Sequence, residues 1–91
     1  MPNFYSLYSS FDDFYSRFYQ GNEIEFLYNG EHYYILPTFD DQKNINGVLI
    51  GKDTDEQDLI CKSKEDLYYS KIAGTLFGYI LDKIQIVWYN I

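Results

Sequence analysis

Ninety-one residues with 46 % apolar and 21 % aromatic side chains describe a single small domain, too aromatic for a disordered chain. Fourteen acids against seven lysines and arginines give a net charge of −7, which excludes the basic footprint that free nucleic acid or an anionic membrane would need. The charge is uneven: residues 1–41 carry seven acids and only Arg17, whereas residues 42–91 carry seven acids and six lysines. Such a field suits a partner protein with a basic surface, although acidity also serves plain solubility. Cys61 is the single cysteine, so no internal disulfide is expected. The opening residues lack a basic segment followed by an apolar one, and no apolar run approaches the roughly 20 residues of a membrane span. A cytoplasmic protein is expected.

In chain order, Leu7, Phe11, Phe14 and Phe18 fall on one helical face, which predicts a helix over residues 10–20. Ser10 followed by Asp13 has the spacing of a capping box, and Asp12 and Asp13 suit the positive end of the helix dipole. Gly21 is expected to end the helix in a left-handed conformation. The stretch EIEFLYNGEHYYIL, residues 23–36, then carries the strongest local signal. Asn29-Gly30 predicts a type I′ turn, whose two central residues need positive φ, and a two-residue loop fixes the register. Tyr28 then faces Glu31, and Ile24 faces Ile35. Alternation puts Ile24, Phe26, Tyr33 and Ile35 on a core face, and Glu23, Glu25, Leu27, His32, Tyr34 and Leu36 on a mixed outer face. Pro37 is expected to end that ladder.

Residues 38–46 read as a polar loop, 47–52 as a third strand, DTDEQD at 53–58 as a turn, and a fourth strand falls near 58–62. Ser63 and Asp66 repeat the capping spacing and open a helix at 64–70. TLFGYILDK at 75–83 reads as a second helical piece in which Gly78 marks a close contact or a break. IQIVWYNI gives a last strand at 84–90. The expected fold is α+β: an N-terminal helix, an antiparallel meander of about four strands, short helices and a C-terminal strand, with the helices on one face. The last strand's position in the sheet, at an edge or between earlier strands, is left open.

The run FDDFYSRFYQGNEIEFLYNGEHYYI, with SKEDLYYSKIAG and LDKIQIVWYNI, resembles a diffuse group of small acidic proteins of low-GC Gram-positive bacteria, their phages and mobile elements. These share an N-terminal helix, a glycine, an EIEF-x-Y-NG-x-x-Y-x-I hairpin and a closing helix and strand. The resemblance covers most of the chain and implies an α+β domain of such origin. It implies no activity for the group as a whole. Small acidic phage proteins of this kind include inhibitors of host defence such as anti-CRISPR proteins, and an anti-defence role is therefore an expectation by analogy.

Chemistry is thinly represented. His32 and Cys61 are the lone members of their kinds, too few for a zinc site, and nothing in their spacing builds a nucleophile–base pair. DTDEQD opens like a calcium loop, but Asp58 stands where glycine is needed and Lys64 where the bidentate glutamate belongs. No phosphate loop or dinucleotide fingerprint occurs. No catalytic residue, metal or cofactor is expected. What remains is a surface of tyrosines and acids. Tyr8, Tyr15 and Tyr19 recur at spacings of seven and four, forming a stripe near Asp12; half-buried rim or a homodimer contact would account for it as well. Tyr34 and Leu36, beside Glu23 and Glu25, form a second patch. The expected partner-binding residues are Tyr8, Asp12, Asp13, Tyr15, Tyr19, Glu23, Glu25, Glu31, Tyr34, Asp40 and Asp41. The expected function is non-enzymatic occupation of a basic surface, such as that of a nucleic-acid-handling enzyme. The alternative is a structural or regulatory homo-oligomer joined by the aromatic stripe and the last strand.

Overall fold

The computed structural model describes residues 2–53 and 58–90. Two helices come first. α1 (Phe4–Leu7) is a single turn capped by the Asn3 side chain, which accepts from the Ser6 amide. α2 (Phe11–Phe18) is capped by Ser10, whose hydroxyl accepts from the Asp13 amide at 3.1 Å, while the Asp13 carboxylate reaches back to the Ser9 amide. α1 is not legible from periodicity. Leu7 belongs to it rather than to the α2 face, because the chain straightens at Tyr8. Gly21, at φ +90°, closes α2 with paired bonds from its own amide to Phe18 and from the Asn22 amide to Arg17, the Schellman pattern.

β1 (Ile24–Tyr28) and β2 (Glu31–Phe39) form the expected hairpin in the expected register, Tyr28 to Glu31 and Ile24 to Ile35. Asn29 and Gly30 both have positive φ. β3 (Ile45–Lys52) returns along β2, and β4 (Leu59–Cys61) returns along β3. Two boundaries differ from expectation. Pro37 does not end β2: it pairs with Val48, and the strand runs on to Phe39. β1 starts at Ile24, opposite Ile35, so one side of β2 is already open at Pro37 and a residue without an amide donor is tolerated there. β3 begins two residues earlier than expected, at Ile45.

The chain then crosses the sheet. α3 (Lys64–Tyr68) is capped by Ser63 as expected, with Asp66 reaching back to the Lys62 amide just as Asp13 reaches Ser9. The helix expected at 75–83 does not form. In its place, β5 (Lys71–Ile72) and β6 (Thr75–Leu76) make a small hairpin turned by Ala73 and Gly74, both at positive φ. Two 3₁₀ turns follow, Phe77–Tyr79 and Leu81–Lys83. Gly78 shows why this segment is built so tightly. A methyl group there would lie 2.4 Å from the Tyr68 ring, which is itself in edge contact with Phe11, Tyr69 and Tyr79.

β7 (Gln85–Tyr89) closes the fold beside β1, giving the sheet order β4-β3-β2-β1-β7. The result is the expected α+β architecture with a mostly antiparallel five-stranded sheet. The expected turn at 53–58 and its partial likeness to a calcium loop fall largely on residues 54–57, outside those described. The core lies between the helical layer and one sheet face. Phe4, Phe14, Phe18 and Phe77 meet Phe26, Ile24, Ile35, Val48 and Ile86 there, each essentially without solvent exposure. No helix among the described residues is long and apolar enough to cross a membrane.

Candidate protein-binding face

Alternation along each strand sends a second set of side chains to the other side of the sheet. The registers arrange them in rows. Trp88 on β7, Glu25 on β1, Tyr34 on β2 and Gly51 on β3 lie side by side. One pleat away, Leu36 pairs with Leu49, which pairs with Ile60. One pleat the other way, Gln85, Leu27 and His32 line up. Apart from Gly51, which is buried under Tyr34, none of these residues is buried: Leu36, Leu49 and Tyr34 are half-buried, and Trp88 and Ile60 are 44 % and 59 % exposed. Among the described residues, the core takes up the helical layer and this face is left open.

Its centre is a shallow concavity of about 480 Å³ lined by Glu23, Glu25, Tyr34, Leu36, Leu49, Asp58 and Trp88. Tyr34 leans across Gly51 and donates to the Asp58 carboxylate at 2.6 Å. Gly51 is required for this pose, because a methyl group there would lie 2.7 Å from the ring's Cζ and closer still to Asp58. The bond to Asp58 also holds the Tyr34 phenol above its ordinary pKa, since a phenolate would lose that donation and face a carboxylate. At the row's edge, His32 sits between two carboxylates: its Nε2 is 3.4 Å from Glu25, and its Nδ1 is hydrogen-bonded to Asp53.

The predicted site residues separate into groups. Glu23, Glu25 and Tyr34 are brought together in this concavity. Glu31 lies at the hairpin end and pairs with Lys52 at 3.5 Å. Asp40 is occupied in building the β2–β3 turn, where its carboxylate accepts from the Gln42 and Asn44 amides; Asp41, next to it, is exposed. Asp12 and Asp13 belong to the helical layer, and each already meets a cation, Lys64 at 2.5 Å and Arg17 at 3.4 Å.

The tyrosine stripe does not hold as drawn. Tyr8 is 3 % exposed and packs with Phe4 and Phe14 under the Arg17 guanidinium, so it is a core residue and not a contact surface. Its phenol is held above its ordinary range, first by burial. The break between α1 and α2 turns Tyr8 inward, which a continuous 3.6-residue period does not anticipate. Tyr15 and Tyr19 do pair on α2, their hydroxyls 2.9 Å apart; burial first and then this bond push the Tyr15 phenol up.

Leu49, Asp58 and Trp88 complete the concavity without having been singled out as contact residues. Leu49 was legible in principle, because it alternates with Val48 and Ile50. Trp88 was not: a bulge opposite Glu25 and Phe26 shifts the β7 register and so sets which β7 side chains face outward.

Cys61 and His32 are not brought together. Cys61 is buried on the core face, 3.4 Å from the Ser70 hydroxyl, whereas His32 is on the open face across the sheet. Burial raises the Cys61 thiol above its ordinary pKa, so little thiolate forms at neutral pH. The folded protein is expected to react with a thiol reagent roughly 100-fold more slowly than the urea-unfolded chain; comparable rates would place Cys61 at the surface. Among the described residues, no three His, Cys, Asp or Glu side chains are placed to hold a metal ion. No protein-family model, no curated protein and no solved structure matches this chain.

Proposed function

We propose that this protein is a non-enzymatic binding module whose open sheet face covers a basic patch on another protein. One observation carries this reading. The apolar centre of the face is bordered by Glu23, Glu25 and Asp58, and among the described residues no lysine or arginine of the chain meets these three carboxylates. Asp12 and Asp13 of α2 and Glu31 at the hairpin end are by contrast paired with Lys64, Arg17 and Lys52. Uncompensated charge around an aromatic and aliphatic centre is the composition of an interface that steers a basic partner and then excludes water.

The narrower form of this proposal is an inhibitor from a phage or mobile element. It would occupy the nucleic-acid-binding surface of a host defence protein, as anti-CRISPR proteins do. The net charge of −7 and the sequence resemblance described above support it. The homo-oligomer reading has its own observation: β7 is an edge strand that exposes Val87, Trp88 and Tyr89 and carries no charge. That edge is partly guarded, however. The Pro2 carbonyl accepts from the Ile86 amide, Asn3 bridges Gln85, and the bulge interrupts the ladder.

The test is affinity capture from a Gram-positive bacterial lysate, with the wild-type chain and a Tyr34→Ala/Trp88→Ala variant as baits. The expected result is a basic protein retained by the wild type at low salt, released by roughly 0.5 M salt as screening shortens to a few ångströms, and absent from the variant. Recovery of the same protein on both baits would remove the open face from the proposal. Sedimentation of the pure chain as a dimer, abolished by Trp88→Ala, would favour the oligomer instead.

A further inference from the structure

We propose that the trough between Tyr34 and Trp88 is a seat for an arginine side chain of the partner; this rests on the reading of the open face as the surface that meets a basic protein. Trp88, Glu25 and Tyr34 are consecutive across β7, β1 and β2. Two strand spacings separate the tryptophan and tyrosine backbones by about 10 Å, with a carboxylate between them. Tyr34 leans away from Glu25, over Gly51, and is anchored on Asp58, which keeps the trough open on that side. Leu36 and Leu49 supply an apolar bed beside the row, and Glu23 adds a second carboxylate to the lining.

A side chain that enters this trough has three requirements to meet. It needs a positive end for Glu25 and Glu23, a surface that tolerates an aromatic flank, and an apolar stem for Leu36 and Leu49. Arginine satisfies all three: its guanidinium is planar, weakly hydrated and forked toward carboxylates, and three methylenes precede it. A lysine ammonium meets the charge but is a compact, strongly hydrated point that gains less from the rings. Among the described residues, the one cationic candidate the chain itself offers to Glu25 is His32 at 3.4 Å, on the far side of the row from Leu36.

The test uses the intact ¹⁵N-labelled chain and two probes, the blocked tripeptides Ala-Arg-Ala and Ala-Lys-Ala, at one low ionic strength. Trp88 is the only tryptophan, so its indole N–H is a single reporter. The expected result is a saturable shift of that indole and of the Glu25 and Tyr34 amides, with the arginine probe binding roughly fivefold more tightly than the lysine probe. Glu25→Gln is expected to weaken the arginine probe by roughly tenfold. Asp82→Asn, in the second 3₁₀ turn, is expected to leave it unchanged. Trp88→Leu, read at the Glu25 amide, should erase the preference for arginine over lysine.

Equal affinity for the two probes, or arginine shifts that map away from Trp88, would overturn the arginine seat. The wider reading would survive that result if Tyr34→Ala/Trp88→Ala still released the captured basic protein. Loss of both the probe shifts and the face-dependent capture would overturn the two together. Thermal melts of Glu25→Gln and Trp88→Leu that match the wild type keep misfolding from imitating either outcome.

Discussion

Phe14→Ala is expected to cost about 3–5 kcal/mol of stability, the largest effect of any single truncation in this chain. Phe14 has no solvent exposure, and its ring meets those of Phe4 at 4.9 Å, Tyr8 at 4.9 Å, Phe18 at 4.9 Å, Phe11 at 5.7 Å and Phe77 at 6.1 Å. It therefore joins α1, α2 and the first 3₁₀ turn, three elements too short to stand alone. Removing the ring leaves a cavity walled by other rigid rings, and such walls collapse poorly. Domains of this size have a total stability of about 5–10 kcal/mol, so the variant would lose from roughly a third to all of it. Urea denaturation should show the midpoint falling with an unchanged slope. Phe14→Leu, which keeps most of the volume, should lose about 1–2 kcal/mol. A Phe14→Ala variant within 1 kcal/mol of the wild type would show that the helical layer repacks freely and that the aromatic cluster is not what fastens it to the sheet.

Leu36→Lys with Leu49→Lys is expected to raise the dissociation constant for the captured partner by more than roughly 100-fold while leaving the fold intact. The two leucines are cross-strand neighbours at the middle of the open face, and both are half-buried. Lysine stems can lie along the sheet with their ammonium groups in water, so the change in stability should stay at about 1 kcal/mol or less. Binding is affected twice. The apolar centre is lost, and two positive charges now meet a basic partner beside the acids that would have attracted it. Tyr15→Ala with Tyr19→Ala is the matched control, because that pair lies on α2 in the helical layer. Calorimetric titration with the captured protein separates the outcomes. Weakening by the helix-layer pair, with none from the sheet-face pair, would move the interface to the other side of the molecule.

Both experiments rest on features of unequal legibility. The hairpin could be read directly because its information is local. Asn29-Gly30 specifies the turn, the turn specifies the register, and a period of two then assigns each side chain to a face. The caps at Ser10 and Ser63 are local in the same way, since a hydroxyl and an amide three residues apart suffice. The segment 71–83 was not legible. Its apolar spacing resembles that of a helix, but Ala73 and Gly74 adopt positive φ and Gly78 lies against Tyr68, a contact decided by a different helix. Tyr8 was misassigned for a related reason. The periodicity of α2 continues into α1 on paper, and only the extended residue between them shows that the two helices have separate axes.

By itself, then, the sequence determined the α+β class, the β1–β2 register, the two serine caps, the acidity, and a sheet side where Glu23, Glu25, Tyr34 and Leu36 stand together. Only the tertiary structure decided that β7 lies beside β1, so that Trp88 flanks Glu25; that Asp58 arrives from the other edge to hold Tyr34; and that the acids of α2 are paired with Lys64 and Arg17 while, among the described residues, Glu23, Glu25 and Asp58 of the open face meet no lysine or arginine. The physical reason is range. Turns, caps and strand alternation are set within a few residues, whereas the partners of Glu25, Tyr34 and Asp12 come from residues 88, 58 and 64, whose positions follow from how the whole chain buries its core.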